Sequence, residues 1–201
     1  MIELFRSIEK RYDFALPQAF KTAWEAGWAG DNYLALPDLE WLPLEEIAEY
    51  EFEDYQISGL VPFASTGGGD LWCWQPAFLG PDGPRVIECP HDCTEASVYA
   101  PDFRSFLYRR LLDEACACFL DAEGMEEHRS GLLRGFEQVS ALLQTEEREM
   151  LASVLNSPIQ SEVLPAVRPT RWSFIVPPKS ELQEFIRRSF PDEIFEWMRD
   201  D

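Results

Sequence analysis

The apolar positions at the start of the chain recur with helical spacing: Ile2, Phe5 and Ile8 share one face and predict a short first helix. In "LPQAFKTAWEAGWAG", Pro17 suits a first helical turn, Phe20, Ala23 and Trp24 fall on one side, and Gly27 offers a stop. "DNYLALPDLEWL" reads as a short strand ending near Pro37. Three further strands are expected at 60–65, 71–75 and 85–89. The second and third are joined through "PAFLGPDGP", whose prolines and glycines mark a hairpin connection. "VYAPDFRSFLYRRLLDEACACFL" then opens a long helix with Asp102 as its N-cap and an apolar stripe of Phe103, Phe106, Leu107 and Leu111.

Past Asp121 the pattern turns helical. "MEEHRSGLLRGFEQVSALLQ" and "TEEREMLASVLNS" predict two more helices. "LNSPIQSEVLPAVRPT" is proline-spaced and irregular, and "RWSFIV" has strand character. Ser180 and Gln183 stand at capping-box spacing in "SELQEFIRRSF", and "PDEIFEWM" reads as a closing helical turn or two. There is no internal repeat and no long linker.

The triple glycine of "VPFASTGGGDLWCWQP" asks for a chemical explanation. A phosphate-binding loop needs Lys and Ser/Thr after its last glycine, and here Asp70 follows Gly69, where a carboxylate opposes a phosphate. A dinucleotide fingerprint needs a third spaced glycine and a helix, and 71–75 reads as a strand. No Gly-x-Ser-x-Gly nucleophile elbow occurs. Gly67, Gly68, Gly69 and Asp70 are therefore assigned a structural turn between two strands. General-base candidates are few: His91, and His128 in the charged stretch "EEHR", where a solvent-facing side chain is expected. "CPHDC" places Cys89, His91 and Cys93 at alternating positions. Paired zinc ligands are normally matched by a second pair, and Cys116 and Cys118, two apart on a helix, diverge. A strand end followed by a proline turn accounts for the same residues, and a metal at Cys89, His91 and Cys93 stays open at this point. No cofactor motif is present, and no catalytic residue is assigned.

Charge changes the picture most. The 201 residues include 17 Lys and Arg against 37 Asp and Glu, a formal net charge of −20. Such a field repels nucleic acid and anionic membranes and accelerates encounter with basic proteins. From Asp38 to Asp54 the chain carries eight carboxylates and no Lys, Arg or His. Trp41, Tyr50 and Phe52 are interleaved among them and Tyr55 lies just beyond. These residues fit two accounts: a solvated helix face with its aromatics in the core, or an acidic docking surface. The docking account selects Glu45, Glu46, Glu49, Glu51, Glu53, Asp54 and Tyr55 as the partner-binding residues. The apolar fraction of 46% is ample for a core. No apolar run is long enough to span a bilayer, and "MIELFRSIEKRYDF" lacks the apolar centre of a signal peptide, so a cytoplasmic location is expected. Five cysteines, an odd number without a secretory signal, argue for reduced and mostly buried thiols.

Four stretches occur in an order that is familiar: "LPQAFKTAWEAG", "DLEWLPLEEI", "LVPFASTGGGDLWCW" and "APDFRSFLYRRLL". Together they resemble the SUKH superfamily, and more narrowly its Smi/Knr-like branch, named for a yeast cell-wall assembly regulator. Pro17, Phe20, Pro43, Ile47, Pro62, Phe63, Ala64, Gly69, Asp70, Phe103, Phe106 and Leu107 carry the resemblance, which covers residues 2–120. The Asn-Gly often found after the family's first helix is Ala26-Gly27 here, and 121–201 has no counterpart. The resemblance implies an α+β fold, a mostly antiparallel sheet with helices packed against it. It also implies a division into a SUKH-like domain at 1–120 and a mainly helical C-terminal extension at 121–201. It further implies a non-enzymatic protein-binding role: a bacterial immunity protein that neutralises a cognate toxin, often a nuclease and hence basic, by occlusion. The alternative within the same family is a regulatory or scaffold module without a toxin partner.

Overall fold

The computed structural model describes residues 1–30, 34, 36, 38–53, 56, 59–80, 82–116, 121–163, 170–174, 190 and 193–198. It is an α+β fold that divides into two compact units. The first comprises Met1–Tyr33, Asp38–Phe106 and Ser189–Asp201, and the second Leu34–Pro37 and Leu107–Arg188.

The first unit is built on a six-stranded antiparallel sheet. Its strands are β1 (Glu40–Trp41), β2 (Val61–Ser65), β3 (Leu71–Gly80), β4 (Gly83–Cys89), β5 (Glu95–Ala100) and, from the far end of the chain, a strand at Ile194–Glu196 that pairs with β5. Successive hairpins set the register, with Ser65 opposite Leu71, Cys73 opposite Ile87, and Ile87 opposite Val98. Alternation along β3 sends Trp72 and Trp74 to one face and Leu71 and Cys73 to the other. The strand expected at 31–37 falls mostly on residues that are not described, and β1 follows it at Glu40. β5 and the C-terminal strand were not expected. β3 runs on to Gly80, beyond the expected end at Gln75. It carries Pro76 because the register slips there, from Gln75 opposite Arg85 to Leu79 opposite Pro84, and a bulge needs no amide donor at that point.

One sheet face is aromatic. Helices α1 (Ile2–Tyr12), α2 (Gln18–Glu25) and the opening turn of α4 (Phe103–Ala115) supply its partners. Phe20, fully buried on α2, meets the Trp74 ring edge-on at 4.6 Å and Phe103 at 5.4 Å. Phe63 stacks on Trp74 at 4.5 Å, and Phe106 sits 5.1 Å from Trp72. Edge-to-face pairs of this kind add to the area they bury. The Asp102 cap expected from sequence is present: its Oδ1 accepts from the Ser105 N–H at 2.7 Å. Pro17 precedes α2 and Gly27 after it takes φ 76°, the left-handed stop the spacing predicts.

The opposite face gathers Leu60, Leu71, Cys73, Ile87, Cys89, Ala96 and Val98 around Trp197, with Tyr50, Phe52, Phe195 and Met198 packed on the cluster. The C-terminal "EIFEW" is thus a strand and not the helical turn its spacing suggested. Phe195 and Trp197 turn to the cluster while Ile194 and Glu196 stay exposed.

The tip of the β3–β4 hairpin is held close to the strand-to-helix corner. A Cβ on Gly80 would stand 2.6 Å from the Pro101 carbonyl oxygen. Gly80→Ala is therefore expected to lower stability by about 1–3 kcal/mol, the range for overpacking. Urea unfolding checks it, and an unchanged midpoint contradicts the close approach.

In the second unit, α4 continues from Leu107, followed by α5 (Ala122–Val139), α6 (Thr145–Leu155) and a two-stranded hairpin of β6 (Ile159–Val163) and β7 (Thr170–Phe174). The remaining strand, Ile194–Glu196, is β8. Both expected helices are present, and "RWSFIV" contributes Trp172 to β7. α5 is capped by Asp121, whose Oδ1 accepts from Gly124 N–H at 2.6 Å. α6 opens with a capping box of Gln144 and Glu147. The capping spacing at Ser180 and Gln183 lies outside the described residues. No helix among the described residues is long and apolar enough to cross a membrane.

Candidate functional site

The acidic segment folds around α3 (Leu44–Glu49). Leu44, Ile47 and Ala48, at helical spacing, are buried, which turns Glu45, Glu46 and Glu49 to solvent. Glu51 and Glu53 beyond it are exposed as well. Asp54 and Tyr55 lie outside the described residues. The interleaved aromatics go the other way. Trp41 meets Phe20 at 6.0 Å and Phe103 at 5.9 Å, while Tyr50 and Phe52 pair at 5.0 Å over the Trp197 cluster. Core aromatics and solvent carboxylates thus share the segment.

Glu46, Glu49, Tyr50 and Glu51 line a shallow open depression together with Arg11. Arg11 projects from the last turn of α1 and donates 2.7 Å hydrogen bonds to the carbonyls of Ala48 and Tyr50, while the Tyr12 hydroxyl donates to the Ile47 carbonyl at 2.9 Å. These are the carbonyls that a helix end leaves without intrahelical partners. Arg11 is therefore spent on the backbone of α3. Among the described residues none of the carboxylates of Glu45, Glu46, Glu49, Glu51 and Glu53 forms an ion pair, so this face is net negative, five carboxylates against the one charge of Arg11. Sequence reasoning missed Arg11, since its partners are backbone atoms almost forty residues away.

Gly67–Asp70 connect β2 to β3. Gly69 alone of the three glycines has positive φ, at 98°. Asp70 organises the turn: its N–H donates to Thr66 Oγ1 at 3.0 Å, and its Oδ2 accepts from that hydroxyl at 3.1 Å. Its Oδ1 accepts from the backbone N–H of His91 at 3.0 Å and from the ring Nδ1–H at 2.8 Å. Asp38 Oδ1 accepts from Gly67 N–H. Partial burial pushes the Asp70 carboxyl up, but the hydrogen bonds from His91 and Thr66 and the His91 charge outweigh it, and the net shift is below the usual 3.8. The hydrogen bond to Asp70 raises the exposed His91 above its usual 6.5, with Asp92 and Asp70 adding their charge.

The signs follow by linkage. A lowered Asp70 stabilises above its unfolded value and loses that contribution as pH falls through the folded one. A raised His91 stabilises fully below 6.5 and loses its contribution as pH rises through its folded value. Together they favour the fold most between the two. Asp70→Asn is expected to return the His91 titration toward 6.5 in an NMR pH series, and an unmoved titration contradicts the pairing.

His91, Asp92 and Cys93 are exposed on the turn after β4, whereas Cys89 is buried. Among the described residues no group of three or more His, Cys, Asp or Glu is placed to hold a metal ion. The thiols divide evenly: Cys73 and Cys89 are buried, Cys93 and Cys116 exposed, and Cys118 lies outside the described residues. Burial pushes the Cys73 thiol up, and its hydrogen bond with Cys89 acts in the same direction. Alkylation of the native protein, mapped by mass spectrometry, is expected at Cys93 well before Cys73 or Cys89. His128 is not solvent-facing as expected. It is half-buried, with Nε2 at 2.9 Å from the Glu114 carbonyl oxygen.

The model of the SMI1 / KNR4 family (SUKH-1) matches residues 2–109, more than half of the chain. No curated protein and no solved structure matches.

Proposed function

The chain belongs to the SMI1 / KNR4 family (SUKH-1), and from that membership we propose that it is a non-catalytic protein-binding module acting as an immunity protein, which neutralises a basic toxin domain by occluding it. The observation that carries this reading is the face formed by Glu45, Glu46, Glu49, Glu51 and Glu53. Its carboxylates are exposed, on α3 and just beyond it, without ion pairs among the described residues, and they outnumber the neighbouring Arg11, whose guanidinium is fixed on backbone carbonyls. A surface of this kind speeds encounter with a cation-rich partner and disfavours anionic ones. A toxin that handles nucleic acid must bind phosphate and so offers complementary charge. Asp54 and Tyr55 belong to the proposed interface on sequence grounds.

The test has two stages. The tagged chain is purified from its native cells at low and at high salt, and the protein released by salt is identified. That protein is then expressed alone and together with the chain. Arrest of growth by the partner alone, relieved by co-expression, supports the proposal. A partner that is harmless alone overturns the immunity role and moves the chain to a regulatory or scaffold module. Recovery of the chain alone under both conditions overturns a stable protein complex.

A further inference from the structure

The β3–β4 hairpin carries a pair of adjacent, strongly exposed large apolar side chains, Phe78 at 50% and Leu79 at 73%; the other such pair among the described residues, Met1 and Ile2, stands at the N-terminus. The backbone puts them there. Four steps along β3, from Gln75 to Leu79, match one step along β4, from Arg85 to Pro84, so the intervening residues bulge off the sheet. The bulge is braced. The Arg85 guanidinium lies 3.7 Å from the centre of the Phe78 ring. Arg85 donates to Gln75 Oε1 at 2.6 Å and forks onto the Glu193 carboxylate at 2.7 and 3.3 Å. Arg104 reaches Asp82 on the hairpin at 3.4 Å, and Gly80 sits against the Pro101 carbonyl. A Phe78 ring held this way, next to Leu79 on a braced backbone, loses little freedom on being buried, which is the property of an interface anchor.

The occupant is constrained by charge. Because Glu193 neutralises Arg85, the knuckle adds no positive charge to a chain of net −20. A second copy, a nucleic acid or an anionic membrane is repelled; a cationic protein is drawn in.

Resting on the acidic-face reading above, we infer that Phe78 and Leu79 form the apolar anchor for a cationic protein partner whose surface offers an apolar pocket rimmed by Lys or Arg. The carboxylates of α3 govern arrival and the knuckle governs residence, since contacts buried at an interface act chiefly on dissociation.

A phage-displayed random dodecapeptide library, panned on the full chain, tests this. Enriched peptides are expected to combine basic residues with an aromatic or aliphatic side chain. Their affinity is expected to fall about tenfold or more, through faster dissociation, on Phe78→Ser/Leu79→Ser and on Leu79→Glu alone, with melting unchanged in Leu79→Glu, whose side chain is 73% exposed and outside the Arg85–Phe78 contact. Glu46→Gln/Glu49→Gln/Glu51→Gln is expected to slow association instead. Peptides that bind the knuckle variants as well as the wild type but respond to the carboxylate variant overturn the anchor and leave the acidic face standing. Peptides that need the knuckle yet lack basic residues overturn the cationic partner. A concentration-dependent dimer abolished by Leu79→Glu assigns the knuckle to a second copy and overturns the proposal, as does a library that enriches nothing sensitive to Phe78 or Leu79.

Discussion

Trp197→Ala is expected to lower the stability of the first unit by about 3–5 kcal/mol, the range for removing a large buried aromatic. Trp197 is 1% exposed at the centre of the cluster on the second sheet face. It is held by more than packing: its indole N–H donates to the Cys93 carbonyl and its backbone N–H to the Thr94 carbonyl, both at 2.9 Å. The truncation opens a cavity in the cluster that includes Leu60, Cys73, Ile87 and Val98, and removes the indole bond to the Cys93 carbonyl. Ile194→Ala on the same strand is the control. Its side chain is 59% exposed, and its loss is expected within about 0.5 kcal/mol. Denaturant unfolding followed by tryptophan fluorescence reads both, with two transitions allowed for in a chain of two units. Equal effects from the two variants contradict the burial of Trp197.

The effect is expected to reach the candidate site. Tyr50 and Phe52 pack on the cluster that Trp197 fills, and Gln56 bridges to Met198. The backbone beneath Glu49, Glu51 and Glu53 therefore rests on the last strand of the chain. Amide exchange in 50–53 is expected to quicken in Trp197→Ala and not in Ile194→Ala.

What the sequence disclosed and what it hid divide along the range of the interactions. α1, α2, α5 and α6 are local, stated by spacing and caps within a dozen or so residues, and the Asp102 cap could be read directly. The β2–β3 and β3–β4 hairpins were legible because glycine and proline mark their turns. β8 was not. In "DEIFEWM" the apolar residues Ile194, Phe195, Trp197 and Met198 satisfy helical spacing, and Phe195 and Trp197 satisfy alternation just as well. The pairing of Ala96 with Phe195, about a hundred residues away in the chain, decides between them. β5 is hidden for a similar reason: its "EASVYA" is short and runs directly into the Asp102 cap of α4. At the candidate site the exposed glutamates followed from the buried spacing of Leu44, Ile47 and Ala48. Arg11 did not, since a side chain that binds carbonyls leaves no mark in the residues it binds. The knuckle was hidden by its punctuation: Pro76 and Gly80 made a strand with a bulge look like a loop.

Neutralising the acidic face is expected to slow association with a basic partner on the order of tenfold at low ionic strength, with little change in dissociation. Glu46→Gln/Glu49→Gln/Glu51→Gln keeps shape and polarity and takes the net charge from −20 to −17. The fold should tolerate it, because these side chains are exposed and bind nothing among the described residues. A second variant, Glu137→Gln/Glu146→Gln/Glu149→Gln, removes the same charge from exposed positions on α5 and α6. The comparison separates two kinds of steering. If the whole field of the chain attracts the partner, the variants slow association equally. If the partner lands on the α3 face, the first variant is the slower, because charges within the Debye length of about 10 Å at 0.1 M salt count most. The dependence of the rate on ionic strength carries the same information. It is expected to flatten for the first variant and to stay near that of the wild type for the second. Equal slowing would leave the chain an electrostatically attractive module whose interface lies elsewhere. Unchanged kinetics in the first variant would remove the α3 face from the interface altogether.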